Sequence, residues 1–241
     1  MSHLDAALLF GSAGLTGALV GAVLPCATRL LAVPTGPSAR TIGAAEDAPS
    51  GGRQRLATSP CVAVSDRVLG SVSLAVASIG IGLRLRSAEL SGLATLAVWL
   101  VILYSGALLA AVDIAVRRLP TPVIAVAAAA VFVILAAEAA MTADGRRLVV
   151  AAAAGAALGG GYLLLALVGG SGMGLGDVRL AALLGTALGT LGWDAVLLGA
   201  VLPYLLAAPA ALAHLASRAE GSMAFGPYLV AGALVALALI A

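Results

Sequence analysis

Apolar residues run through this chain in long blocks, not in the alternating pattern of a half-buried strand, and short clusters of charge, glycine and proline break the blocks apart. A helix that is apolar all round needs an apolar solvent. Eight blocks approach the roughly 20 residues that carry a helix across a bilayer, at 6–31, 68–86, 90–112, 121–142, 148–170, 178–193, 195–214 and 223–241. The blocks at 68–86 and 178–193 are the weakest. Each is short or has an arginine near one end (Arg84, Arg179), which predicts a tilted segment or one partly out of the bilayer. No basic stretch precedes block 6–31, so it reads as a retained span and not as a cleaved signal. Residues 34–67 are rich in Pro, Gly, Ser and Arg and lack apolar periodicity, as expected of a loosely ordered loop outside the membrane. The fold class expected is all-α, a polytopic membrane protein of about eight transmembrane helices, with 1–241 as a single membrane domain.

Composition strengthens this picture. The chain is 62% hydrophobic and 10% charged, where an ordinary soluble domain carries about a quarter charged residues. Its 13 basic residues, all arginine, are scattered along the chain and form no stripe, which argues against a nucleic-acid partner. They do indicate sidedness. With the loop after the first span in the cytoplasm, Arg29, Arg40, Arg53, Arg55, Arg67, Arg117, Arg118, Arg179 and Arg218 lie inside, and Arg84, Arg86, Arg146 and Arg147 outside. Both termini then face out. Cys26 and Cys61 have no C-x-x-C spacing and no neighbouring His, so no metal site is predicted. Gly155, Gly159, Gly160 and Gly161 give the fifth block the small-residue spacing that lets helices approach closely.

Four acids border or enter the blocks: Asp113, Glu138, Asp177 and Asp194. Ionisable groups at that depth are costly and mark function by default. Glu138 falls toward the outer side and reads as snorkelling or interfacial, while Asp194 reads as the cap of the seventh helix. Asp113 closes the third block and Asp177 opens the sixth, so the two intervening spans carry the chain out and back. Both carboxylates therefore lie on one face of the membrane, the cytoplasmic one in this orientation. Each has a structural alternative. Asp113 and Arg117 are spaced for a helical ion pair, although an Asp at a helix C-terminus meets the negative end of the macrodipole. Asp177 stands where a helix N-cap is expected. It follows five glycines in eight residues, at 169, 170, 172, 174 and 176, a backbone that lets another chain come close. Irregular backbone at membrane depth is tolerated beside protein or a water-filled cavity. His3 and His214 have no partnered Ser or Cys, so nucleophilic catalysis of that kind has no support.

Three motifs resemble those of the type IV prepilin peptidases, membrane aspartic peptidases of the G-x-G-D class. Gly174-Leu175-Gly176-Asp177, followed by Val178-Arg179-Leu180, is similar to the family's second catalytic motif, with Arg179 where Lys is usual. Asp113-Ile114-Ala115-Val116-Arg117-Arg118-Leu119-Pro120 resembles the first, and Phe225-Gly226-Pro227 resembles a segment opening the last span. The last has a local explanation as a turn with Pro at a helix start, and it counts toward membership, not catalysis. The resemblance covers about residues 90–241, which it marks as a peptidase core.

It implies an aspartic endopeptidase in the cell (inner) membrane, with its active site facing the cytoplasm and no cofactor. Asp113 and Asp177 would be catalytic, with Gly174 and Gly176 as motif backbone. The partners implied are prepilin or pseudopilin leader peptides and the lipid bilayer. Many members carry paired C-x-x-C motifs after the first span. Residues 34–67 hold a single Cys, so zinc is not expected and the N-methyltransferase activity of bifunctional members is doubtful. Two other classes compete: a small proton-coupled transporter, which would show inverted internal repeats, and an inactive assembly protein. No repeat pairs the Asp113 segment with the Asp177 segment.

Overall fold

The computed structural model describes residues 77–81, 90–116, 119–168, 174–216 and 224–240. After a helical stretch at 77–81 come α1 (Leu90–Val116), α2 (Thr121–Thr142), α3 (Arg146–Val168), α4 (Leu175–Gly189), α5 (Trp193–Ala216) and α6 (Gly226–Ile240), with no strand among the described residues. Block 6–31, loop 34–67, Arg117, Arg118 and the glycine-rich residues 169–173 lie outside them, as does 68–86 apart from 77–81.

Among the described residues four helices are long and apolar enough to cross a membrane: Ser91–Ile114, Thr121–Thr142, Arg146–Val168 and Trp193–Ala213. They match the expected blocks at 90–112, 121–142, 148–170 and 195–214. The other two are shorter than expected. At 15 residues each, α4 and α6 are about 22 Å long at 1.5 Å per residue, short of a hydrocarbon core of about 30 Å. In place of a span at 178–193 there is a helix that starts earlier, at Leu175 with the last glycine of the run inside its first turn, and ends at Gly189, capped by Thr190. Gly192, at φ 116°, then makes a turn that favours glycine.

Side chains on the outside of the bundle are those of a protein in lipid. Val126, Val133, Leu164, Leu197, Leu205 and Leu212 are all exposed, a surface that water would penalise and hydrocarbon accepts. Inside, α4 is the hub, in contact with α1, α2, α3, α5 and α6. This explains how a short helix is accommodated, because protein surrounds it. Leu180, Leu184 and Leu188 are fully buried beside Trp99, Ile102 and Leu229. The α3–α4 contact depends on missing side chains. A Cβ on Gly155 would stand 2.9 Å from the Ala182 carbonyl, and one on Gly185 2.8 Å from that of Ala154. Gly160 and Gly161, expected to share in this contact, have nothing within 4 Å of a modest side chain.

Glu138 does not snorkel outward from the bundle. It is buried and paired with Arg147, whose guanidinium also donates to the Ser91 carbonyl at 2.9 Å, the Thr190 carbonyl at 3.3 Å and the Thr95 hydroxyl. One arginine thus ties together the start of α1, the end of α2, the start of α3 and the residue after α4. Charge this deep survives only when paired and hydrogen-bonded. Asp194 is the second residue of α5, inside its first turn, and so does not occupy the cap position.

Candidate active site

At the opposite end of the bundle the end of α1 meets the starts of α4 and α6. Asp113, three residues before the end of α1, is 5% exposed. Its Oδ2 accepts a hydrogen bond of 3.0 Å from the amide of Gly226, the first residue of α6. A helix N-terminus has unpaired amides pointing outward and carries partial positive charge. This donor offsets what makes Asp awkward at a helix C-terminus. It also explains the glycine, since a Cβ at 226 would lie 2.8 Å from the Asp113 oxygen.

Asp177 is not the cap of α4. Gly174 is, in extended backbone (φ −77°, ψ 145°), and Asp177 is the third helical residue, its amide donating to the Gly174 carbonyl at 3.0 Å. The Asp177 carboxylate takes a backbone hydrogen bond from Gly174 in return, the reach-back half of a capping box. The cap alternative is therefore partly right in function and wrong in position. The group lies in the first turn of α4, outside the four spans. Burial, and then the negative charge of Asp113, push its carboxyl up to about 6, against the Gly174 hydrogen bond that lowers it. The two carboxylates that parity placed on one face are thus close enough to act on each other.

The two motif glycines differ in what they do. A Cβ on Gly176 would meet the Cβ of Leu119 at 2.9 Å, so its absence lets α4 dock against the α1–α2 connection. Gly174 is not crowded in this way and contributes through its backbone. Arg179 Nη1 donates to Thr121 Oγ1 at 2.8 Å and ties the same turn to α2.

A wall of aromatic rings completes the site, and of its members only Phe225 belonged to a sequence motif. Tyr162 of α3 stacks on Tyr204 of α5 with centroids 5.7 Å apart, and Phe225 stands 5.4 Å from Tyr204 and 6.5 Å from Tyr162. Tyr228 extends the wall 6.4 Å beyond Phe225. The Asp177 charge reaches both Tyr162 and Tyr204. The available signal was scarcity: three of the four tyrosines in a chain only 4% aromatic converge here. No group of three or more His, Cys, Asp or Glu side chains gathers among the described residues. Chemically, the site offers paired carboxylates, one on a helix amide, beside phenols.

No curated protein and no solved structure matches the chain. The sequence model of the type IV leader peptidase family matches residues 94–212, a stretch that includes both carboxylates, Tyr162 and Tyr204 and ends before Phe225 and Gly226. That match, on a bundle of apolar helices, makes this a prepilin peptidase-like protein.

Proposed function

We propose that the protein is an aspartic endopeptidase of the cell (inner) membrane that removes the leader peptide of type IV prepilins or related pseudopilins at the cytoplasmic face, with Asp113 and Asp177 as its catalytic pair. The observation that carries this reading is the meeting of two carboxylates, from the end of α1 and the start of α4, in one partly desolvated site. Two such groups do not ionise together easily, so one keeps a proton while the other stays charged.

The charged carboxylate takes a proton from a water molecule as the water oxygen bonds to the scissile carbonyl carbon, and the protonated one polarises the carbonyl oxygen. The C–N bond then breaks, and the proton taken from water passes to the departing amine. Gly176 supports this chemistry by letting α4 dock closely, and Gly174 by holding Asp177 through its backbone. A pair at the end of the bundle suits a substrate whose short basic leader meets an apolar helix at the membrane boundary. The arginine distribution favours the cytoplasmic side. Residues 90–241 form the peptidase core in this reading. With no cysteine pairs in 34–67, zinc and methyl transfer are not part of it.

The test is cleavage of a candidate prepilin in membranes containing the full chain, with Asp113→Asn and Asp177→Asn measured separately. Each is expected to abolish cleavage, and a wild-type rate from either one overturns the assignment. A reporter fused to the loop after α1 checks sidedness independently.

A further inference from the structure

The Asp177 side of the bundle holds a polar group that packing alone does not explain. Tyr162 is 2% exposed, and its hydroxyl is in hydrogen-bond geometry with no group among the described residues. The Tyr204 hydroxyl approaches it without well-formed hydrogen-bond geometry, and the Asp177 charge acts on both. A buried hydroxyl without a well-formed partner is costly. Phenylalanine would provide the same ring, stacked at 5.7 Å on Tyr204 and 6.5 Å from Phe225, without that cost. The hydroxyl therefore has a use outside the packing.

Its surroundings suggest what that use is. Phe225 precedes the residue whose amide holds Asp113, and Tyr162 and Tyr204 lie within reach of the Asp177 charge, so the rings bridge the two carboxylates. Tyr204, 38% exposed, forms the open side of the wall. A phenol hydroxyl donates one hydrogen bond and accepts others, so it can share a water molecule with a carboxylate lying beyond direct reach.

We propose that Tyr162 and Tyr204 are positioning residues of the carboxylate pair: their hydroxyls complete, with Asp177, a polar seat for the hydrolytic water, and their rings, with Phe225, close that seat against lipid. The inference rests on the peptidase reading for the identity of the water, and on the buried Tyr162 hydroxyl and the rings that run from it to Phe225, beside the amide that holds Asp113, for the place of the seat. The titratable groups facing Asp177 are Asp113 from α1, Tyr162 from α3 and Tyr204 from α5. Tyr228 stands behind Phe225 on α6, and Arg179 is engaged with Thr121 on α2.

The experiment uses the full chain in nanodiscs with Tyr162→Phe, Tyr204→Phe and Tyr162→Leu. Two quantities are read: kcat and KM for a prepilin substrate, and the titration of the Asp177 carboxyl by infrared spectroscopy, with the band assigned through Asp177→Asn. Tyr162→Phe keeps the ring and is expected to fold normally, lower kcat about tenfold or more and leave KM within about twofold. Loss of the hydroxyl that shares a water with the ionised carboxylate is expected to raise the Asp177 midpoint by about half a unit or more. If Tyr162→Leu is impaired while Tyr162→Phe and Tyr204→Phe keep wild-type kcat and an unmoved Asp177 titration, the hydroxyls have no positioning role and the inference falls alone. If the wild-type protein cleaves no prepilin yet the Asp177 midpoint still moves in Tyr162→Phe, the peptidase reading falls and the positioning of Asp177 stands.

Discussion

Gly226→Ala tests whether the start of α6 holds a reacting group. The added Cβ would stand 2.8 Å from Asp113 Oδ2, 3.3 Å from its Cγ and 3.4 Å from its Cβ. The nearest atom is the tip of a side chain, so the least costly relief is for the carboxylate to swing away, and a movement of a few tenths of an ångström breaks the 3.0 Å bond from the amide. A hydrogen bond to a charged acceptor is worth about 1.5–3 kcal/mol. If that energy holds Asp113 in its reactive position, cleavage falls about 10- to 100-fold, since each 1.36 kcal/mol is a factor of ten in rate. The fold should survive, because alanine exceeds glycine in helix propensity by up to about 1 kcal/mol and offsets part of the crowding. The assay is prepilin cleavage in membranes, with Tm in detergent to show that the variant is folded. A folded Gly226→Ala protein that cleaves within twofold of wild type refutes the role of the amide.

Three further outcomes follow from the packing. Asp177 has its folded pKa raised to about 6 from 3.8, so the stability it contributes is present below 3.8 and is lost as pH rises through 6; Asp177→Asn should therefore melt above wild type at pH 7, with the gap closing toward pH 4. Arg147→Met leaves Glu138 buried without its partner and should cost about 3 kcal/mol, most of it regained in the double variant with Glu138→Leu, while cleavage per folded molecule is unchanged because the pair sits at the end opposite the carboxylates. Gly189→Ala, whose Cβ would be 2.8 Å from the Ala151 Cα, should destabilise by about 1–3 kcal/mol, whereas Gly160→Ala, facing open space, should stabilise by about 0.8 kcal/mol, both read by thermal unfolding.

Much of the site was legible because its logic is topological. Asp113 and Asp177 share one end of the bundle by span counting, which needs no knowledge of how helices face one another. The glycines before Asp177 pointed to a close approach, and Gly176 against Leu119 is one. Gly226 was visible as a motif residue and a turn before Pro227 but not as a donor, since its amide finds Asp113 in a distant part of the chain. Tyr162 on α3, Tyr204 on α5 and Phe225 just before α6 come from distant parts of the chain, and the two tyrosines belong to no motif. Glu138 was misread for the same reason: its partner Arg147 lies on α3, and the other acceptors of Arg147 are on α1 and at the residue after α4.

The sequence by itself determined the solvent of this protein, the four long spans and the end of the bundle at which its acids meet, because run length and the alternation of spans are properties of the chain read in order. Only the tertiary structure decided that α4 is a short buried hub, that Gly226 provides the amide for Asp113, and that aromatic rings stand beside Asp177. The physical reason is that helices apolar on every side carry no stripe to show which face turns inward. Their rotation and depth come from where glycines permit contact and where buried polar groups find partners, as Gly155 does against Ala182 and Arg147 against Glu138.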